Sequence, residues 1–366
     1  MVHVSAPGKL LIAGEWALTE PGNNGIVAAI NARVHAQIER STQTSVTIDD
    51  YAIKNLHITF APTIAAPTGH DEETHFLRKA LEVTLSYLDA FDQPLAIRTW
   101  GKATTILHEG KAHKLGFGSS AASTVAVVSA LLRFYGHDLE EQKTKDVLFK
   151  LALLAHYQAQ GKKGSGFDVA ASTYGGILDY VPVDKNWLND HIEKQTPIKK
   201  LIAEHWPGLS IRSLPIPKDL RLLIGWTGHG ASTRLMMEEM LLYKQHHLDE
   251  YNHLLKQLAT NVSHIIAEWL GEHKEKILAA VRKQEEYLRD LGTQSGVHIE
   301  TPLLKCLSEI TNAHGGAGKL SGAGGGDCGI ALCFDPATEA TIKQAWKKEG
   351  IIVVDAQMEQ DGVRDE

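Results

Sequence analysis

Apolar residues in the first half of the chain come mainly in short runs broken by turn residues. Val2–Val4 and Leu10–Ala13 read as strand pieces on either side of Pro7-Gly8, and Ile26–Ile38 as a longer β-branched strand. Val46–Ile48 and Leu95–Trp100 add two more strands. Thr74–Leu88, Ser120–Tyr135 and Asp146–Gln160 read as helices. The second of these is apolar on nearly every face and stops at Gly136, as a buried helix does. Residues Val181–Asp219 scatter Pro, Asp and Lys, and are expected to form a linker or irregular crossover. Arg221–Trp226 reads as a strand, and a helix-rich stretch follows. In it, Leu248, Tyr251, Leu255, Leu258, Val262, Ile265 and Trp269 keep 3-4 spacing. That spacing fits a core-facing helix or a coiled-coil dimer seam. Thr301-Pro302 is a helix start, with Thr as N-cap and Pro in the first turn, and Ile351–Val354 is a last strand. Strands and helices do not alternate regularly, which favours α+β over a doubly wound parallel sheet.

The 366 residues suffice for about two domains, each with a core. No apolar run reaches the roughly 18–20 residues of a membrane span, and Met1–Leu10 lacks the marks of a signal peptide. Cys306, Cys328 and Cys333 form neither a metal spacing nor an even disulfide framework, so a reducing cytoplasm is expected. The 19 histidines include no H-E-x-x-H, which argues against a structural metal. A net charge of −7 with no basic face argues against nucleic acid. A small polyanionic substrate needs only local positive charge. Lys102, Lys111, Lys114, Lys162 and Lys163 flank two suggestive loops.

Three segments carry candidate chemistry. Gly116-Phe-Gly-Ser-Ser-Ala-Ala-Ser123 leads into the apolar helix, whose free N–H groups suit a phosphate. The other reading is a plain capped helix. No G-x-x-x-x-G-K-[ST] string occurs, and Lys111-Ala-His-Lys114 stands where a dinucleotide fingerprint needs an apolar strand. Lys319-Leu-Ser-Gly-Ala-Gly-Gly-Gly-Asp-Cys328 must bend tightly or lie against a ligand. Gly164-Ser-Gly-Phe-Asp168 sets a carboxylate between apolar neighbours, as a paired functional group or as an N-cap.

Together with Ala6-Pro-Gly-Lys-Leu-Leu-Ile-Ala-Gly-Glu-Trp16, these segments resemble, in order and separation, the three motifs of the GHMP kinase superfamily. The resemblance implies two α+β domains, a ribosomal-protein-S5-like one over 1–195 and a ferredoxin-like one over 196–366. The active site would lie between them. It implies ATP and Mg²⁺ as cofactors, with ATP held by Gly116, Gly118, Ser119, Ser120, Ala121 and Ser123, and the Ser120 hydroxyl on the metal. Gly14–Gly22 and Ser321–Gly329 resemble the bacterial phosphomevalonate kinases within the superfamily. The implied acceptor is therefore the phosphate of 5-phosphomevalonate. The alternatives are a sibling acting on mevalonate or another small alcohol, an ATP-consuming decarboxylase, or a non-catalytic sensor.

By the same resemblance Lys9, Lys114 and Asp168 form the catalytic set, the lysines bridging phosphates and Asp168 orienting Lys9 or the substrate. Ser165, Ser232, Gly322, Ala323 and Gly324 would contact the acceptor, with Thr233 and Arg234 beside Ser232. Alcohol kinases of the family often carry a metal-binding Glu on the helix before Ser165. Here His156, Tyr157, Gln158 and Gln160 stand there, which implies a metal held mainly by nucleotide oxygens and water. A monomer or homodimer, with no membrane or nucleic-acid partner, is expected.

Overall fold

The computed structural model describes residues 1–58, 70–101, 104–162, 164–228, 230 and 233–366. Lys102, Lys163 and Ser232 lie outside the described residues. Strand β1 runs unbroken over Val2–Ala13, where two pieces were expected. A register shift between Ala6 and Gly8 against β2 (Gly25–Arg40) absorbs Pro7, which has no N–H to give to the ladder. β3 (Ser45–Ile48) and β4 (Ile53–His57) form a hairpin, followed by α1 (Asp71–Leu88) and β5 (Leu95–Trp100). β6 (Thr105–His108) and β7 (Lys111–Lys114) make a separate two-stranded hairpin ahead of α2 (Ser119–Phe134). Then come α3 (Gln142–Ala159), α4 (Phe167–Tyr174) and β8 (Ile177–Val181).

The expected linker is ordered structure. It holds α5 (Lys185–Glu193), α6 (Ile198–Ala203) and β9 (Ser210–Leu214), which pairs antiparallel with β8. β9 is largely exposed, and so its polar composition hides a strand. β10 (Arg221–Trp226), α7 (Thr233–His246), α8 (Leu248–Leu270), α9 (Lys274–Ser295) and α10 (Pro302–Ala313) follow. Thr301 caps α10, accepting the Leu304 N–H at 3.3 Å. β11 (Ala317–Leu320), β12 (Cys328–Cys333), α11 (Pro336–Lys348), β13 (Ile352–Val354) and β14 (Arg364–Asp365) complete the order.

Two sheets organise these elements. The first runs β14-β1-β2-β5-β3-β4, with β8 and β9 branching from β2. The buried faces of α1 to α4 share one apolar core with it. The second is antiparallel in the order β11-β12-β10-β13. Its βαββαβ connectivity and strand order are those of a ferredoxin-like unit, enlarged by the helices between β10 and β11. The chain is thus α+β, as expected, and the first sheet takes strands from both sides of residue 195. Along α8, Tyr251, Leu255, Leu258, Val262, Ile265 and Trp269 are buried, whereas Leu248 is exposed. The 3-4 pattern therefore marks a core face, and α9 packs beside it within the same chain.

The last residues return to the first sheet. The Glu359 N–H donates to Ala29 O at 2.9 Å, and β14 pairs with β1. Arg33, almost fully buried, pins this strap. Its guanidinium donates to Ser5 O at 2.9 Å and Gly362 O at 2.7 Å, and lies 3.2 Å from Glu359.

Candidate active site

Strand β1 delivers Lys9 to the phosphate-loop candidate. Gly8 must lack a side chain there, since a Cβ would stand 2.9 Å from Phe117 O. The Lys9 N–H donates to that same carbonyl at 2.9 Å, and Lys9 Nζ donates to Gly116 O at 2.8 Å. The ammonium also lies 5.5 Å from the centre of the Phe167 ring.

The loop itself ends as an uncapped helix start. Gly118 is the N-cap of α2 at φ 71°, with no side-chain cap and no acidic residue in the first turn. That leaves the positive end of the helix free for an anion, and the plain capped-helix reading fails. Ser119 Oγ is buried without a hydrogen-bond partner, an orphan that a ligand oxygen would satisfy. Ser120 Oγ lies 3.2 Å from His156 Nε2. Burial pushes the His156 imidazole below its usual range and keeps it neutral. Ala121 is buried and Ser123 half-buried one turn further on. Lys111–Lys114 proves to be a strand, β7, but a polar one that is mostly exposed, so no dinucleotide-type core strand precedes the loop.

Asp168 sits in the first turn of α4, whose N-cap is Gly166, so it is not the cap. Its Oδ1 accepts the Val169 N–H at 3.0 Å. A Cβ on Gly118 would fall 3.0 Å from Lys9 Cγ and 3.5 Å from Asp168 Cβ. Lys9, the glycine loop and Asp168 therefore meet at one point. Buried Ser172, at the far end of α4, donates to Pro7 O at 2.7 Å and ties that helix to the Lys9 strand. Ser165 is half-buried, and its carbonyl accepts the Tyr180 hydroxyl at 2.6 Å.

The third segment connects β11 to β12 and joins the same place. Ser321 Oγ donates to Leu11 O at 2.9 Å and accepts the Leu11 N–H at 3.1 Å. Next to it Lys319, fully buried, pairs with Glu15 of the first motif and with Leu320 O. Gly322 faces open space, whereas Gly324 packs against the Ile299 carbonyl and Ala323 against an apolar cluster. Only Gly322 of these three is free of protein packing on its Cβ side.

A third charge joins Lys319 and Glu15. Glu285 of α9, nearly fully buried, accepts the Leu320 N–H at 3.0 Å. Two carboxylates on one ammonium need one proton for neutrality, and burial pushes Glu285 up to about 8 from 4.5, with Lys319 opposing the rise. An acid raised in the folded state stabilises fully below its unfolded value, and that contribution is lost as pH climbs through the folded value. Glu285→Gln is expected to flatten the decline of melting temperature between about pH 5 and 8 and to raise it at pH 8. Thermal melts of both proteins across that range read it directly, and parallel curves would refute the assignment.

Some expected residues stay apart. Lys114 is exposed at the end of β7 and has no side-chain partner among the described residues. Thr233 opens α7, and Arg234 is exposed with Glu238 at 3.8 Å. Sequence reasoning passed over Glu15, Asp327 and Glu285 as site residues. The first two are charges inside glycine-rich strings. Glu285 falls four residues after Val281 and three before Leu288 on a buried helix face, a position where a charge signals a partner. Among the described residues no cluster of three or more His, Cys, Asp or Glu side chains could hold a metal.

Known proteins resemble this chain in sequence and fold. The family model for the GHMP kinases N terminal domain matches residues 75–176, and that for GHMP kinases C terminal matches 277–352. A phosphomevalonate kinase of Streptomyces sp. (strain CL190) is 30% identical, over 95% of this chain and 94% of its own length. Among solved structures, the Lin0012 protein from Listeria innocua superposes with a TM-score of 0.89 at 31% identity, covering 100% of this chain and 99% of its own. Streptococcus pneumoniae phosphomevalonate kinase, in complex with phosphomevalonate and AMPPNP, gives 0.82 at 27% identity, covering 98% and 100%. With likeness running along nearly all of both chains, and both family models falling on the segments that carry the glycine loops, this chain belongs to the GHMP kinases.

Proposed function

We propose that this protein transfers the γ-phosphate of ATP to 5-phosphomevalonate, giving ADP and 5-diphosphomevalonate, in the cytoplasm. The observation that carries the reading is the meeting of Lys9, the uncapped Gly118–Ser120 turn and Asp168. The full-length similarity to phosphomevalonate kinases supports the choice of acceptor. In this reading residues 1–195 hold the nucleotide loop, and 196–366 bring the third motif and Ser232 to the acceptor.

A phosphomonoester acceptor has a second pKa near 6 and is largely a dianion at neutral pH. It needs little help from a base. The harder problem is holding two polyanions together, so positioning and fixed positive charge dominate. The α2 N–H groups and the orphaned Ser119 hydroxyl take ATP oxygens. Lys9 leaves Gly116 O to bridge donor and acceptor phosphates, with Lys114 at the loop entrance supplying further charge. Asp168 holds the Lys9 ammonium in line rather than removing a proton.

The site fits a magnesium ion held mostly by the nucleotide, because α2 offers the Ser120 hydroxyl while the last turn of α3 offers His156, Tyr157 and Gln158 and no carboxylate. Neutral His156, in the tautomer with Nε2 unprotonated, would accept a hydrogen bond from the Ser120 hydroxyl and leave the serine oxygen's lone pairs free for the ion. When bound, Mg²⁺ neutralises charge on the β- and γ-phosphates. A coupled ADP-release assay with phosphomevalonate and with mevalonate separates the readings. Turnover is expected with phosphomevalonate alone; turnover on mevalonate, or release of CO₂ from diphosphomevalonate, would replace this proposal.

A further inference from the structure

The turn between β11 and β12 runs through Gly324, Gly325 and Gly326, all at positive φ, and then through Asp327 at φ 61°. Glycine suits that conformation and costs nothing in strain, whereas a side chain there is held against its preference. The backbone is fixed in place from the neighbouring strand: Thr227 N–H and Oγ1 both donate to Asp327 O, at 2.9 and 3.0 Å. The carboxylate is then aimed across the site at the start of the phosphate loop. A Cβ on Gly116 would lie 2.1 Å from Asp327 Oδ2, so the two residues are in direct contact.

The Gly116 peptide is thereby gripped on two sides. Its carbonyl accepts Lys9 Nζ at 2.8 Å. Its amide and the Lys9 charge both favour the ionised Asp327 carboxylate, against a burial that pushes the group up from its ordinary value. Cys328 Sγ adds a weak donation to Oδ1 at 3.5 Å. A buried carboxylate on a strained turn is disfavoured twice over, and foremost among the hydrogen bonds that offset this is the one from the loop that Lys9 touches, with Cys328 and Trp226 adding to it.

We propose that Asp327 is a positioning residue for phosphoryl transfer, bracing the Gly116 peptide from the third motif so that the nucleotide loop and Lys9 are held in register. The inference rests on the phosphate-loop reading of Gly116–Ser123, and it holds whichever acceptor the enzyme uses. A displacement of about 1 Å at the loop entrance is enough to cost on the order of 100-fold in rate.

Asp327→Gly relieves the turn and removes the brace. Asp327→Asn keeps the shape, accepts the same N–H and tolerates the left-handed region. The glycine variant is expected to melt at or above the wild-type temperature, yet to lose about 100-fold in kcat/KM for ATP. It should also bind AMPPNP at least tenfold more weakly by calorimetry. The asparagine variant should recover most of that affinity. Analogue binding reads the loop without any acceptor, so wild-type failure on phosphomevalonate would count against the proposed substrate alone. Unchanged nucleotide affinity and kcat in Asp327→Gly, or loss of folding in both variants, would overturn the positioning role.

Discussion

Lys9→Ala is expected to lower kcat by roughly 10²–10³ while leaving the melting temperature within a few degrees of wild type. The magnitude follows from what the ammonium does in the proposed reaction. Two phosphate groups, each with more than one negative charge, must approach within bonding distance, and a preorganised cation is worth most where water is excluded. The stability side follows from the ground-state contacts. Lys9 Nζ has one carbonyl partner at 2.8 Å and one aromatic neighbour, both uncharged, and the Asp327 carboxylate that it also favours keeps the Gly116 amide when it goes. Steady-state kinetics with ATP and phosphomevalonate, beside a thermal melt, test both halves. A folded variant with near-full turnover would remove Lys9 from the chemistry. Lys114→Ala, whose side chain has no partner among the described residues, distinguishes a pre-set lysine from one recruited by ligand.

Lys319→Ala should have the largest effect on stability, about 3–5 kcal/mol. Both Lys319 and Glu15 side chains are fully buried, and Glu285 lies beside them. Removing the one cation leaves the Glu15 carboxylate buried beside the protonated Glu285, with no positive charge to balance it. Removing the charges together is a different experiment. Lys319→Met combined with Glu15→Gln keeps the volume and leaves no unpaired charge, and it should regain most of the loss. Denaturation midpoints for wild type, Lys319→Met, Glu15→Gln and the double variant form the cycle. Simple additivity of the single changes would mean the trio does not act as a unit.

The glycine turn that opens α2 was legible because its signal is local: glycines, serines and an apolar helix within about twenty residues of sequence. The core face of α8 was legible for the same reason, since its period repeats along one element. β9 and the β6–β7 hairpin were not, because short exposed strands need no apolar alternation. The partners that complete the site were also out of reach. Glu15 and Lys319 are 304 positions apart, and no local pattern links a glutamate after a glycine to a lysine before a glycine turn. Asp168 shows the intermediate case. Its neighbours marked it as unusual, but only the fold set Gly118 between it and Lys9.

The strap pinned by Arg33 has a consequence for how the molecule is made. Ser5 Oγ donates to the Glu366 carboxylate, 361 residues away, and β14 lies along β1. As a ribosome extends this chain, β1 and the Arg33 guanidinium emerge early together with the Ser5 carbonyl, while the Gly362 carbonyl that the same guanidinium reaches follows 329 residues later. Until then one edge of the first sheet is open and the cation has only part of its acceptor set, a template for unwanted strand addition. Refolding from denaturant should accordingly end in a slow phase that reports on strap docking, since closure of so long a loop follows every more local contact. Lys9 sits on that same strand, so competence for catalysis should arrive with this final phase and not with the burial of the core.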